Sequence, residues 1–110
     1  MFIQYDTTQL RKGILELFVL QILSLKSKYA LEVVNELNEI GLQMAEGTLY
    51  PLLTRLKNEL KIVYKWEESS AGPPRKYFII TKIGKEYLQQ GLEAFFNLSD
   101  SLKNLTNIYK

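Results

Sequence analysis

The stretch Glu46-Gly47-Thr48-Leu49-Tyr50-Pro51-Leu52-Leu53-Thr54-Arg55-Leu56 holds polar side chains at a spacing that could do chemical work. At helical period, Leu49, Leu52, Leu53, Leu56 and Leu60 fall on one apolar stripe. Tyr50, Pro51, Thr54, Arg55 and Asn58 fall opposite. That face offers hydrogen-bond donors, a phenolic hydroxyl and one cation, with no carboxylate. Its chemistry is recognition rather than bond making: short polar groups near a helix start suit base edges and phosphates in a DNA major groove. An ordinary amphipathic surface helix would carry the same stripe, so the weight falls on the surrounding elements. Pro51 lacks an N–H and is tolerated in a first helical turn, which sets the helix start near Glu46 or Gly47.

Bond-making chemistry has little support. The chain of 110 residues contains no histidine and no cysteine. The commonest general base, the commonest transition-metal ligand, thiolate metal sites and disulfides are therefore absent. Its 12 carboxylates form neither a hydrolase pair nor a calcium loop. Gly72-Pro73-Pro74 reads as a turn, not a phosphate cradle. No enzyme, cofactor or metal is expected. The apolar fraction of 46% and charged fraction of 24% are those of an ordinary globular domain. No apolar run approaches the roughly 18 residues that span a bilayer, and no signal-peptide pattern is visible. A cytoplasmic protein with no membrane partner is expected. Net charge is only +2, but the segment Thr48–Lys85 carries eight basic residues against three acidic ones. The middle third is thus the candidate polyanion-facing part.

The elements that would position these groups follow from periodicity. The arm Met1–Thr8 carries Phe2, Ile3 and Tyr5, which are expected to pack on something, a second subunit being one choice. A helix is predicted from about Thr8 to Leu25, capped by Thr7 or Thr8. Leu10, Ile14, Leu17 and Phe18 form its main stripe, and Leu15, Val19, Ile22 and Leu23 widen it. A second helix is predicted from Lys28 to Ile40, capped by Ser27, stopped by Gly41 and buried through Ala30, Val33, Val34, Leu37 and Ile40. Helix, short turn and helix form a helix-turn-helix with the Glu46 helix in the reading position.

Strand alternation takes over after Leu60. Ile62, Tyr64 and Trp66 point one way, Val63, Lys65 and Glu67 the other. Arg75–Ile80 is a second β-rich run, and Glu68–Pro74 between them reads as a long polar tip. The pair makes a two-stranded wing whose Lys65, Arg75 and Lys76 can meet phosphates or a minor groove. Thr81 caps a last helix from Lys82 to about Ile108. There Leu88, Phe95, Leu102 and Tyr109 recur every seven residues, and Gly91, Leu98 and Leu105 take the complementary positions. Such a helix is about 40 Å long. Its seam (Leu88, Leu92, Phe95, Leu98, Leu102, Leu105) is expected to bury itself against a second copy in a two-fold dimer. The fold class is mainly α (α+β): residues 1–81 a winged helix-turn-helix with its arm, residues 82–110 a long dimerisation helix.

These residues resemble the PadR-like transcriptional regulators, in the short form with one C-terminal dimerisation helix. The resemblance rests on Gly13-Ile14-Leu15-Glu16-Leu17 with Val19-Leu20, and on Tyr29-Ala30-Leu31-Glu32. It continues through Glu46-Gly47-Thr48-Leu49-Tyr50-Pro51-Leu52-Leu53 with Arg55-Leu56, then Trp66-Glu67-Glu68-Ser69, and Gly72-Pro73-Pro74-Arg75-Lys76-Tyr77. Thr81 and Gly84 close it. It implies a cytoplasmic prokaryotic homodimer on a near-palindromic operator, usually a repressor, whose DNA binding small aromatic molecules relieve in some members. It assigns Thr48, Tyr50, Pro51, Thr54 and Arg55 to the reading helix, Arg75 and Lys76 to the wing, and Tyr29 to a phosphate contact. Two departures stand out: Tyr29-Ala30 where the family usually has Tyr-Gly, and Leu60-Lys61 where it usually has Gly-Leu. Glycine there would supply a left-handed helix cap that leucine adopts only with strain, so the reading helix is expected to end differently or run longer.

Two further functional classes accompany this reading. One is a small-aromatic-ligand sensor with a pocket at the dimer interface, lined by Phe95, Phe96, Leu92, Tyr5 and Trp66. The other is a winged helix used for protein contact alone.

Overall fold

Four helices and three short strands follow one another as α1 (Thr8–Leu25), β1 (Lys28–Tyr29), α2 (Ala30–Glu39), α3 (Glu46–Asn58), β2 (Ile62–Ser69), β3 (Gly72–Ile80) and α4 (Lys82–Ile108). This computed structural model describes residues 3–108; Phe2 of the arm and Tyr109 of the heptad lie outside them. The strands form one antiparallel sheet in the order β1-β3-β2. The wing is therefore part of a three-stranded sheet. Lys28 and Tyr29, expected in the first turn of α2, instead pair with Phe78 and Tyr77. A two-residue strand has no periodicity of its own; it exists because the edge of β3 offers unpaired backbone groups. Tyr29, not Ser27, then precedes α2, and its N–H donates to Glu32 Oε1 at 2.9 Å.

One core joins the four helices and the β2-β3 pair. Val19, Leu20, Ile22 and Leu23 of α1 meet Val33, Val34 and Leu37 of α2 and Leu49, Leu53 and Leu56 of α3. Ile62, Phe78 and Ile80 of the sheet and Leu88 of α4 complete it. In α1 the fully buried residues, Val19, Leu20, Ile22 and Leu23, all lie in its C-terminal half; Leu10, assigned to its main stripe, is exposed. Ile3 and Tyr5 of the arm are exposed as well. The start of α1 is capped from outside the predicted position: Asp6 Oδ1 accepts from the Thr8 N–H at 2.9 Å and from its hydroxyl at 2.6 Å.

The hairpin is tighter than its composition implies. Its strands run to Ser69 and from Gly72, so Ser70-Ala71 alone make the turn. Between the Glu67–Arg75 and Ser69–Gly72 pairs the register slips, and Glu68 opposes both Pro73 and Pro74. A bulge near the tip is where a strand tolerates residues that cannot donate to a ladder. Pro51 lies in the second turn of α3 rather than the first, and brings no N–H for the Gly47 carbonyl.

Helices α2 and α3 end in the same motif with different residues. After α2, Gly41 has φ +91° while Gly41 N–H reaches Asn38 O and Leu42 N–H reaches Leu37 O. After α3, Leu60 N–H reaches Lys57 O and Lys61 N–H reaches Leu56 O, with Leu60 at φ +62°. The leucine adopts the left-handed cap, so the reading helix stops where a glycine would stop it. The left-handed region costs a residue with a Cβ about 1–2 kcal/mol. Leu60 is exposed and adds little packing. Leu60→Gly should therefore raise stability by about 0.5–1 kcal/mol after the extra backbone entropy of glycine is subtracted. Thermal melts of the two proteins check this; a lower melting temperature for the variant would contradict it.

Candidate nucleic-acid interface

Helix α3 buries Leu49, Leu53 and Leu56, half-buries Leu52 and leaves the rest of its circumference to solvent. At 100° per residue the open arc runs from Glu46 and Tyr50, through Thr54, to Pro51 and Arg55. The wing stands beside one edge of this arc and α1 beside the other. At the wing edge, Glu46 and Tyr50 join Tyr29, Trp66, Pro74, Arg75 and Lys76 around a groove of about 410 Å³. Ala30 and Leu31, at the N-terminus of α2, line it as well.

The strand pairing sorts the wing residues onto two faces. Trp66 is opposite Lys76 and Tyr64 opposite Phe78. Lys76 Nζ lies 4.5 Å from the Tyr64 ring centre and 5.5 Å from that of Trp66. On the other face, the Arg75 guanidinium lies 4.2 Å over the Tyr29 ring. Such contacts hold the cations in place without neutralising them, so both remain available to phosphates. The Tyr29 hydroxyl, assigned by resemblance to a phosphate, instead donates to Glu67 Oε2 at 3.0 Å. That bond, with burial, pushes its pKa up from 10.0. Lys65 Nζ is 3.4 Å from Glu67 Oε1 on this same face. Trp66 shares a face with Ile62 and Tyr64 as the alternation predicts, but β2 has left the core by then and Trp66 is 61% exposed.

The opposite edge of α3 is differently built. Thr48, Pro51 and Arg55 face Lys12, Gly13 and Glu16 of α1 around a separate cavity. Arg55 is engaged on both sides: Nη2 is 2.8 Å from Glu16 Oε2 and Nη1 is 3.2 Å from Glu59 Oε1. Lys61 Nζ is 2.8 Å from Glu59 Oε1 and 3.3 Å over the Tyr87 ring, and the Tyr87 hydroxyl donates to Glu16. Arg55, Glu16, Tyr87, Lys61 and Glu59 close a ring that ties the reading helix to α1 and α4. These ion pairs hold the half-exposed Arg55 side chain against α1 at the edge of the reading helix. Glu16 and Tyr87 lie too far from Arg55 in sequence for spacing to reveal the ring.

The ring carries a pH signature. Burial works against the Glu16 carboxylate, but hydrogen bonds from Tyr87 and Arg55 outweigh it and lower its pKa from 4.5. The bond to Glu16, then burial, raises that of Tyr87 from 10.0. A depressed carboxylate stabilises the fold above its unfolded pKa and loses that contribution as pH falls through the folded one; a raised phenol loses its contribution as pH rises through the folded one. The ring is therefore at full strength between roughly pH 5 and pH 9.5. Melting temperatures measured from roughly pH 7 down to pH 3 should fall less steeply for Glu16→Gln than for the natural protein. Equal slopes would remove Glu16 from the account.

The seam expected on α4 divides in two. Leu88 is 5% exposed in the chain's own core and is closed to a partner, and Leu92 packs against that core. Gly91, which interrupts the heptad, sits where an added Cβ would come within 2.5 Å of Leu17 Cδ2. It marks the crossing of α4 over α1. Beyond it, Phe96, Leu98, Leu102 and Leu105 are exposed. Phe95 and Phe96 meet edge to face, with ring centres 5.6 Å apart. With Ile14, Leu17, Phe18, Gln21 and Leu92 they line an apolar groove of about 240 Å³. Tyr5 and Trp66, grouped with these phenylalanines from the sequence, lie elsewhere: Tyr5 beside Arg11, Trp66 at the wing. Among the described residues no helix is long and apolar enough to cross a membrane, and no group of three or more acidic, histidine or cysteine side chains could hold a metal.

A helix-turn-helix followed by a basic hairpin, with a cationic, aromatic groove between reading helix and wing, defines a winged-helix protein. The PadR-like family of transcriptional regulators matches residues 19–90, and the chain belongs to it. The PadR-like transcription factor of Bacteroides fragilis is 39% identical, with a TM-score of 0.79 over 90% of this chain and 96% of that one. The PadR-like transcriptional regulator of Bacillus cereus is 37% identical, with a TM-score of 0.81 over 90% of this chain and 97% of that one. An uncharacterized protein of Lysinibacillus sphaericus is 32% identical over 82 residues, which is 72% of this chain and 75% of the relative. Members of the family are transcriptional regulators rather than enzymes, and that role implies DNA binding.

Proposed function

We propose that this chain is a homodimeric repressor that binds a near-palindromic operator by equilibrium recognition. The observation that carries the reading is the groove in which Tyr50 of the reading helix meets Arg75, Lys76 and Trp66 of the wing. Tyr50 and Thr54 contact the major groove, with Pro51 and Thr48 on its flank. Arg75 and Lys76 hold phosphates beside it, and Lys65 strengthens the local field. Arg55 fixes the angle of the helix. The exposed α4 residues Leu98, Leu102 and Leu105, with Phe95 and Leu92 at their base, pair with a second copy and set the spacing of the two reading helices.

A second reading has its own observation. The apolar groove at Phe95 and Phe96 fits a small planar aromatic molecule, which would act by changing that spacing. Sedimentation velocity, with and without a pool of random-sequence duplexes at low and high salt, tests the main reading. A dimer that moves onto DNA at low salt and leaves at high salt is expected. A monomer, or a dimer indifferent to DNA at every salt, would overturn it in favour of a protein-contact module.

A further inference from the structure

We propose that Glu46 is a base-reading residue whose carboxylate accepts a hydrogen bond from the exocyclic amino group of a cytosine in the major groove. The inference rests on the DNA-binding reading above. Glu46 is the first residue of α3, is exposed, and lines the groove shared with Tyr50, Arg75 and Lys76. Several carboxylates elsewhere that border cations are paired with them: Glu16 and Glu59 with Arg55, Glu67 with Lys65. Among the described residues Glu46 has no ion pair and no side-chain hydrogen bond, although two cations line its groove.

An unpaired carboxylate in a polyanion site is repelled by phosphates unless it meets a donor. A negative group in the first turn also suits the helix dipole, but that benefit does not require a place in the groove. Gly47, next in the chain, supports a close approach. A Cβ there would meet nothing within 4 Å, so packing inside the chain does not explain a residue that weakens helices. Its absence leaves the start of α3 bare against whatever surface it meets. The donors on the floor of the major groove are the amino groups of cytosine and adenine. Adenine places its N7 acceptor beside that group, which repels a carboxylate; cytosine does not. An acceptor-only side chain therefore selects cytosine, once in each half-site of a two-fold complex.

Selection of duplexes from a random pool by the full-length protein and by Glu46→Gln tests this. Duplexes enriched by the natural protein should share a cytosine at one position in each half-site. Replacing it should weaken binding about tenfold, within the range of one lost base contact. Glu46→Gln, at an exposed position, should melt within a few degrees of the natural protein and lose that preference or turn it toward adenine, which an amide reads through N6 and N7. An unchanged cytosine in the variant's consensus would overturn the assignment while leaving DNA reading intact. A natural protein that enriches no consensus would overturn both.

Discussion

Gly84→Ala should destabilise the protein by about 2–4 kcal/mol, although alanine is the better helix former by about 1 kcal/mol. Gly84 is the third residue of α4, at the point where that helix docks on the end of α3. An added Cβ would strike the Lys61 carbonyl oxygen and lie 2.8 Å from Ile80 Cγ1. The carbonyl cannot retreat. It accepts from the Thr81 N–H at 3.0 Å, while the Thr81 hydroxyl donates to Leu60 O at 2.6 Å and accepts from the Gly84 N–H at 3.0 Å. A Cβ has no rotamer and the Lys61 oxygen is backbone, so that clash has no side-chain rotation to relax into. Gly91→Ala on the same helix is the control. Its Cβ would press on the Leu17 side chain, which can turn away, and the cost should stay below about 1 kcal/mol. Urea unfolding of the two variants decides the matter; equal effects would mean that the junction is looser than described.

The second large effect concerns binding. The double variant Arg75→Ala, Lys76→Ala should lose about 10–100-fold in affinity for duplex DNA and flatten the salt dependence by about two in slope. Each cation is exposed or half-buried on an aromatic ring, Arg75 on Tyr29 and Lys76 on Tyr64, with no carboxylate among the described residues paired to it. Removing them should leave stability nearly unchanged and reduce binding to specific and random duplexes alike, because phosphate contacts carry no sequence information. Binding titrations at several salt concentrations measure both quantities. Arg55→Ala provides the contrast: it breaks two ion pairs at a helix end and should act first on the melting temperature, with the salt slope preserved. A double wing variant whose slope matches that of the natural protein would move the phosphate contacts elsewhere.

Much of the fold was legible because local signals agreed. The Leu49, Leu53 and Leu56 stripe, the start of α3 at Glu46, the Thr81 cap and the alternation of Ile62, Tyr64 and Trp66 all appear in the structure. What escaped depends on partners distant in sequence. β1 is two residues long and has meaning only beside β3. The phase of the α4 heptad is continuous through Leu88, so nothing local separates a core leucine from the exposed Leu98 and Leu102. Arg55 shares an arc with Tyr50 and Thr54; its turn toward Glu16 is set by the place of α1 beside that edge of α3. Glu46 read as the start of a helix, and its place in the groove follows from where the wing lies. At Leu60 the departure from glycine was visible, but the left-handed backbone was kept: Leu56 and Lys57 carbonyls still need donors there.

The central claim is that the face made by α3 and the wing binds DNA through its cations. The most direct test is the binding constant of the full-length protein for duplex DNA, plotted as its logarithm against the logarithm of salt concentration. A straight line falling with a slope of several units is predicted, as expected when about 0.9 counterions leave for each phosphate neutralised. A flat line, or no binding at low salt, would contradict the account.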